Sequence, residues 1–135
     1  MGAGTPGVYH LVLRLRTSRT LQIGRLGRFR FPAGYYIYTG SARNGLEHRL
    51  ARHRCTQKKL HWHIDYLLRA AQLVDVVACP TRTRAECARN RRILSLPGAE
   101  VPVAGFGSSD CGCAAHLVYF SDRPTLPSRT AGARS

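Results

Sequence analysis

The chain has 135 residues and a formal net charge of +14, with 44% apolar residues and five cysteines. This length predicts one domain, over residues 1–120, and the apolar fraction is sufficient for a hydrophobic core. No apolar run approaches the ~20 residues of a membrane-spanning helix, and the sequence shows no export signal, so we expect a cytoplasmic protein without a membrane role. The odd number of cysteines and the missing export signal also argue against a disulfide framework.

The positive charge is carried almost entirely by arginine. Of the 21 lysine and arginine residues, only Lys58 and Lys59 are lysines. The chain contains only seven acidic residues. Arginine makes bidentate contacts with phosphate, so a domain this basic favours a polyanionic partner. We expect that partner to be DNA, with RNA as an open alternative, and the sequence indicates no obligate protein partner. An arginine-rich proteome would give the same composition without such a partner.

The predicted elements mix strands and helices. Residues 7–15 alternate between a polar and an apolar face, which predicts a strand, and residues 20–32 predict a hairpin that turns at 24–27. The other predicted elements are a strand over 34–40, helices over 43–54 and 59–71, a short buried strand over 73–79, a helix over 83–96 and a strand over 116–120. The polar tail over 121–135 is predicted to be disordered. The predicted class is α+β (mixed α/β), with a small, mostly antiparallel sheet flanked by about three helices.

The scarcity of acids limits the candidates for a catalytic metal ligand. Hydrolysis of a phosphodiester requires an aligned, deprotonated water and neutralised phosphate charge, which a cation held by a carboxylate commonly provides. Glu47 and Asp65 lie early in predicted helices, where pairs with bases four residues away would explain them. Glu86 lies in a predicted helix among arginines, and its neighbours Ala85 and Cys87 are small. Its carboxylate can therefore approach a sheet closely.

Several segments carry a resemblance to a known family. "GVY" (7–9), "YTG" (38–40) and "RNGLEHRLARH" (43–53), followed by a glutamate on a later helix, resemble the GIY-YIG nuclease superfamily. "FPAGYYIYTGSARNGLEHRLARH", "KKLHWHIDYLL" and "GFGSSDCGCAAHLVYF" resemble a subgroup of small stand-alone members that are sometimes fused to DNA-repair enzymes. The resemblance spans residues 7–120. One departure is the separation of the two tyrosine motifs by 28 residues, where many members place them on one hairpin.

The resemblance implies a divalent-metal-dependent endonuclease that hydrolyses DNA, with Mg²⁺ or Mn²⁺ bound at Glu86. It implies that Arg49 contacts the scissile phosphate and that Tyr9 or Tyr38 activates or positions the attacking water. His53 matches a histidine that is often found near the site. A free phenol titrates near ~10, so a tyrosine is a poor base until a cation and an arginine lower its pKa.

The residues after the second motif are predicted to face the tyrosines. Gly40 is expected to let the backbone leave the sheet, because it has no side chain in the way. The helix that follows then presents Arg49 and His53, four residues apart, on one face. Candidate nucleic-acid contacts are Ser41, Arg43, His61, His63 and Ser109.

Cys111, Cys113 and His116 offer three soft metal ligands within six residues. Their spacing differs from the commoner C-x2-C pattern and no second pair follows, so structural zinc is not favoured, although Cys79 or Cys87 could complete four ligands. The alternative interpretation is a set of small thiols buried beside the sheet.

The alternative function is a non-catalytic nucleic-acid-binding module that keeps the same fold and arginine surface. It predicts that Glu86 is dispensable and that affinity is dominated by salt-sensitive phosphate contacts.

Overall fold

The computed structural model describes residues 4–43, 45–55, 58–108 and 111–126. In chain order its elements are β1 (Gly7–Leu15), β2 (Arg19–Ile23), β3 (Gly27–Phe31), β4 (Gly34–Ala42), α1 (Leu46–Arg54), α2 (His63–Leu68), β5 (Gln72–Pro80), α3 (Glu86–Leu94) and β6 (Leu117–Phe120). The predicted α+β class with an antiparallel sheet and three helices is confirmed. Within the described ranges, no helix is long and apolar enough to cross a membrane.

The main sheet explains how two distant motifs become neighbours. Its strands are antiparallel and ordered β5-β1-β4-β6, while β2 and β3 form a separate hairpin. In the central pair β1–β4, Tyr9 lies opposite Gly40 and Leu11 lies opposite Tyr38. The β2–β3 hairpin lies between the two motifs in sequence. The motifs therefore lie on adjacent strands, with a hairpin inserted between them in sequence.

Helices cover both faces of the sheet. Tyr9, Leu11 and Leu13 of β1 belong to the main core, which also contains buried residues of α1, α2 and the hairpin. Val12 belongs to a second cluster, with Ile93 of α3. Because successive residues of a strand point to opposite faces, α1 and α2 cover one face and α3 covers the other.

The first two helices begin later than predicted for identifiable reasons. α1 begins at Leu46 because Gly45 has a φ of 135°, which no helical residue adopts. The start of α2 is fixed by Asp65, whose carboxylate accepts the backbone N–H groups of His61 and Trp62. This capping arrangement makes Trp62 the N-cap and keeps the residues before His63 out of the helix.

α3 and β5 also differ from the prediction. α3 begins at Glu86, because the hydroxyl of Thr81 accepts the backbone N–H of Thr83 and forms a turn before the helix. The prediction that β5 is short and buried is wrong: the strand is nine residues long, lies at an edge of the sheet and is mostly half-buried or exposed.

The predicted tail begins with a segment that contacts the domain. Leu126 packs against the cluster that contains Val12, and Arg123 forms an ion pair with Asp75 at 3.3 Å. Residues 127–135 lie outside the described part of the chain, so the predicted disorder there stays a prediction.

Candidate active site

The two motif glycines lie where a side chain would collide with the fold. A Cβ atom on Gly40 would lie 2.5 Å from the Tyr9 hydroxyl oxygen, and one on Gly7 would lie 2.6 Å from the Cys79 carbonyl oxygen. Gly40 does not end its strand as predicted, since β4 continues to Ala42. Its absent side chain makes room for the ring of Tyr9 instead.

Tyr9 and His53 form a buried hydrogen-bonded pair. The Tyr9 hydroxyl lies 2.7 Å from His53 Nε2, and the two residues are 1% and 3% exposed. Burial raises the pKa of Tyr9 to about 12, although Arg49 opposes the increase. Burial, with the charge of Lys58, lowers the pKa of His53 to about 4. At neutral pH both groups are therefore uncharged, and a neutral phenol is hydrogen-bonded to a neutral imidazole.

Tyr38 lies beside this pair on β4. Its ring centroid is 6.4 Å from that of Tyr9, 6.3 Å from that of His53 and 6.4 Å from that of Phe106. Burial raises the pKa of Tyr38 well above its usual value, and Tyr9 and Glu86 add to the increase. Both motif tyrosines are thus neutral phenols at pH 7.

Arg49 is held between the sheet and a tryptophan. Its Nη1 donates to the Ser41 carbonyl oxygen at 2.8 Å, and its guanidinium carbon lies 4.5 Å from the centroid of the Trp62 ring. The charge of Arg49 favours the ionised forms of both groups: it offsets part of the increase in the pKa of Tyr9 and contributes to the lowered pKa of Glu86. The guanidinium is therefore electrostatically coupled to the phenol and to the carboxylate.

Glu86 is the first residue of α3 and forms an ion pair with His116. Its Oε2 lies 2.6 Å from His116 Nδ1, and its side chain is 29% exposed. Burial alone would raise the pKa of Glu86, but His116 and the Ser41 hydroxyl lower it, so the carboxylate is charged at neutral pH. Burial likewise disfavours charged His116, yet Glu86 raises the pKa of His116 to about 9. The sequence prediction for Glu86 did not include this partner.

A cleft of about 410 Å³ opens beside Glu86. Ser41, Arg43, Arg82 and Arg84 are among the residues that line it. Two of the predicted nucleic-acid contacts, Ser41 and Arg43, therefore lie next to the candidate metal ligand. The cleft combines one carboxylate, which can bind a cation, with three arginines, which can bind a phosphate group.

His61 and His63, which are also predicted nucleic-acid contacts, do not line this cleft. His63 Nδ1 accepts the backbone N–H of Gly107 at 2.8 Å. His61 is exposed, and its ring centroid lies 5.3 Å from that of Trp62. Ser109 lies outside the described residues.

Asp65 organises the contact between α1 and α2. Its side chain is fully buried and accepts two hydrogen bonds from Arg52, both at 2.9 Å. Arg52 also lies 4.1 Å over the Trp62 ring, so Trp62 is flanked by the guanidinium groups of Arg49 and Arg52. The expectation that Asp65 pairs with a base on its own helix is wrong, because the partner comes from α1. No local pattern could have indicated this pair.

His116 belongs to a second group of side chains. The ligand atoms of Cys87, Cys111, Cys113 and His116 all lie within 4.8 Å of one another. Cys87 of α3 therefore joins Cys111, Cys113 and His116, the three residues whose spacing alone does not favour zinc. Cys87 is one of the two cysteines that the sequence analysis names as a possible fourth ligand, and Cys79 does not belong to the group.

Comparison with known proteins places the chain in a family without a described activity. A family profile described as "Domain of unknown function DUF123" matches residues 8–134. No curated protein and no solved structure matches the chain significantly.

Proposed function

The chain belongs to this family of unknown function, and we propose that it is a metal-dependent endonuclease that hydrolyses phosphodiester bonds in DNA. The observation that carries the proposal is that Tyr9, Arg49 and Glu86, from three separate elements, lie at the same end of the central strand pair. Tyr9 lies opposite Gly40, Arg49 donates to the Ser41 carbonyl oxygen, and Glu86 lines a cleft together with Ser41. This assembly is similar to what the resemblance to GIY-YIG nucleases implies. The arginine-lined cleft beside Glu86 gives a charged substrate access to it.

Arg49 is suited to bind the scissile phosphate. One of its nitrogen atoms is held by Ser41 and its plane lies over Trp62, so its remaining N–H groups have a restricted orientation. A guanidinium fixed before substrate arrives stabilises the negative charge that develops on phosphate oxygens without reorganisation.

Tyr9 and His53 are suited to position the attacking water. The Tyr9 hydroxyl is held by its hydrogen bond to His53 Nε2 at 2.7 Å, so its oxygen has a restricted orientation toward water. Burial raises the pKa of Tyr9 to about 12 and lowers the pKa of His53 to about 4, so neither group is a strong base at neutral pH and a cation at Glu86 would have to acidify the water. The hydrogen bond to His53 favours Tyr9 over Tyr38 as the residue that positions water.

Glu86 fits the requirements of a site for Mg²⁺ or Mn²⁺. These cations are commonly bound through one or two carboxylates together with water and phosphate oxygens. Glu86 is partly exposed, and its second oxygen does not face His116. Asp65 is a poorer candidate, because its carboxylate is buried and already accepts four hydrogen bonds, from Arg52 and from the backbone N–H groups of His61 and Trp62. A cation held by Glu86 would polarise the phosphate and acidify a bound water.

The proposal is tested by nicking and cleavage of labelled single-stranded, duplex and branched DNA with Mg²⁺ or Mn²⁺ and with chelator. Glu86→Gln and Arg49→Ala are expected to lower the rate at least about 100-fold, because each removes charge from the transition state. Glu100→Gln is the matched control, since Glu100 is exposed and pairs only through its backbone with Tyr119 of β6 among the contacts described. Wild-type protein that cleaves none of these substrates with either cation would contradict the proposal.

A non-catalytic nucleic-acid-binding module is the second candidate. It is favoured by the 1% exposure of Tyr9 and by the ion pair that already engages Glu86. It predicts DNA binding that is unchanged by Glu86→Gln. It also predicts that replacing Arg43 or Arg84 by alanine reduces the slope of log affinity against log salt by about 0.7 to 0.9 for each phosphate that the variant no longer neutralises.

A further inference from the structure

Four soft ligand atoms converge where α3 meets the segment before β6. Cys87 lies in the first turn of α3, and His116 directly precedes β6. His116 Nε2 lies 3.2 Å from Cys111 Sγ and 3.8 Å from Cys87 Sγ, and all four ligand atoms lie within 4.8 Å of one another. A tetrahedral zinc ion with Zn–S distances of about 2.3 Å separates two sulfurs by roughly 3.8 Å. Small side-chain movements would therefore complete a tetrahedral site.

The two ring nitrogens of His116 face different partners. Nδ1 lies 2.6 Å from Glu86 Oε2 and 3.2 Å from the Thr39 carbonyl oxygen, so a proton on Nδ1 serves two acceptors. In the neutral ring the lone pair is then on Nε2, which is the nitrogen that faces the cysteines. A carboxylate bound to the far nitrogen of a metal-ligating histidine is a common support, because it fixes the tautomer and the ring orientation.

From this geometry we propose that Cys87, Cys111, Cys113 and His116 bind one zinc ion and that Glu86 orients the histidine ligand. Three thiolates and a neutral imidazole form a ligand set that is found in closed structural zinc sites. A disulfide between two of the cysteines would explain neither the third thiol nor the direction of Nε2. The inference rests on these ligands alone and does not depend on the nuclease activity.

The zinc ion would join α3 to the segment before β6. The same two parts are already linked by Asn90, whose Nδ2 donates to the Ala115 carbonyl oxygen at 2.6 Å. Glu86 precedes Cys87 in the chain, so a ligated Cys87 would fix Glu86 at the edge of the arginine-lined cleft. The metal would therefore act as a structural support for the cleft.

The first test is the zinc content of the full chain, purified under reducing conditions and measured by elemental mass spectrometry. We expect about one zinc ion per chain in the wild type and in Cys55→Ser. Cys55 is a suitable control because it lies at the end of α1, outside the cluster. Cys113→Ser is expected to lose at least nine-tenths of the metal. Equal zinc content in both variants would overturn the inference.

A second test uses the wild type alone, so that misfolding of a variant cannot decide the result. Added zinc should protect Cys87, Cys111 and Cys113 from alkylation, and a chelator should remove the protection. The exposed thiol of Cys55 should react equally in both states. Cluster thiols that react at the same rate with and without zinc would contradict the site.

The role of Glu86 is tested by measuring zinc affinity in competition with a chelating indicator. Glu86→Gln should weaken zinc binding about 10- to 100-fold while one ion per chain still binds at saturation. Unchanged affinity would overturn the part assigned to Glu86. A protein that binds zinc in this way and cleaves no DNA would support the zinc site and refute the proposed nuclease.

Discussion

Replacing Asp65 by asparagine tests whether the contact between α1 and α2 depends on a buried charge. The carboxylate accepts four hydrogen bonds: two from the guanidinium group of Arg52, one from the backbone N–H of His61 and one from the backbone N–H of Trp62. Burial alone would raise the pKa of Asp65, but these hydrogen bonds lower it from 3.8 to about 2. The resulting stabilisation is complete above the unfolded pKa and is lost as pH falls through the folded pKa.

The size of the effect follows from the difference between the two pKa values. Lowering the pKa of Asp65 from 3.8 to about 2 contributes about 2 to 3 kcal/mol to the free energy of unfolding at pH 7. At pH 3 the unfolded carboxyl group is mostly protonated, so about half of this contribution remains. Asparagine also presents an amide N–H group to Arg52, which adds a cost that does not depend on pH.

Urea unfolding, followed by circular dichroism at pH 7 and pH 3, measures this difference. The decrease in the free energy of unfolding caused by Asp65→Asn should be about 1 kcal/mol smaller at pH 3 than at pH 7. Asp75→Asn is the matched control, because the ion pair of Asp75 with Arg123 is half-exposed and should contribute less than about 1 kcal/mol at either pH. A destabilisation by Asp65→Asn that is the same at both pH values would refute the reasoning.

Two further substitutions test the packing of the motif strands. Gly40→Ala should destabilise the fold by about 1 to 3 kcal/mol, because its Cβ would lie 2.5 Å from the Tyr9 hydroxyl oxygen. Gly112→Ala adds a carbon with no described atom within 4 Å, so calorimetry should find a much smaller change in Tm. Tyr9→Phe leaves His53 Nε2 without its hydrogen-bond partner and should cost about 1 to 3 kcal/mol in urea unfolding, whereas an unchanged free energy of unfolding would contradict the buried pair.

The strands could be predicted from the sequence because their pattern is local. In β1 the alternation of Leu11 and Leu13 with Val12 identifies two faces, and the predicted bounds match the observed strand. The helix ends were predicted less well because they depend on single features. The positive φ of Gly45 and the hydrogen bonds of Asp65 fix two helix starts, and neither changes the apolar periodicity.

The candidate site could be predicted only where the sequence motifs determine the positions. Tyr9 and Tyr38 lie on paired strands, and Arg49 lies on the helix that follows, so sequence order was sufficient to associate them. The contact between Glu86 and His116 joins α3 to the start of β6 and depends on how α3 packs on the sheet. Such packing leaves no trace in residue spacing.

Glu86 alone cannot distinguish the two proposed metal sites, because it contacts His116 and also lines the arginine-rich cleft. Variants on either side of Glu86 can separate them. If zinc acts by holding Glu86 in place, Cys113→Ser should raise the Mg²⁺ concentration required for half-maximal DNA cleavage, because the displaced carboxylate binds Mg²⁺ more weakly. Arg49→Lys should lower the maximal rate with an unchanged Mg²⁺ requirement, since lysine lacks the planar fork that contacts phosphate. An equal Mg²⁺ requirement in Cys113→Ser and wild type would show that zinc does not position Glu86.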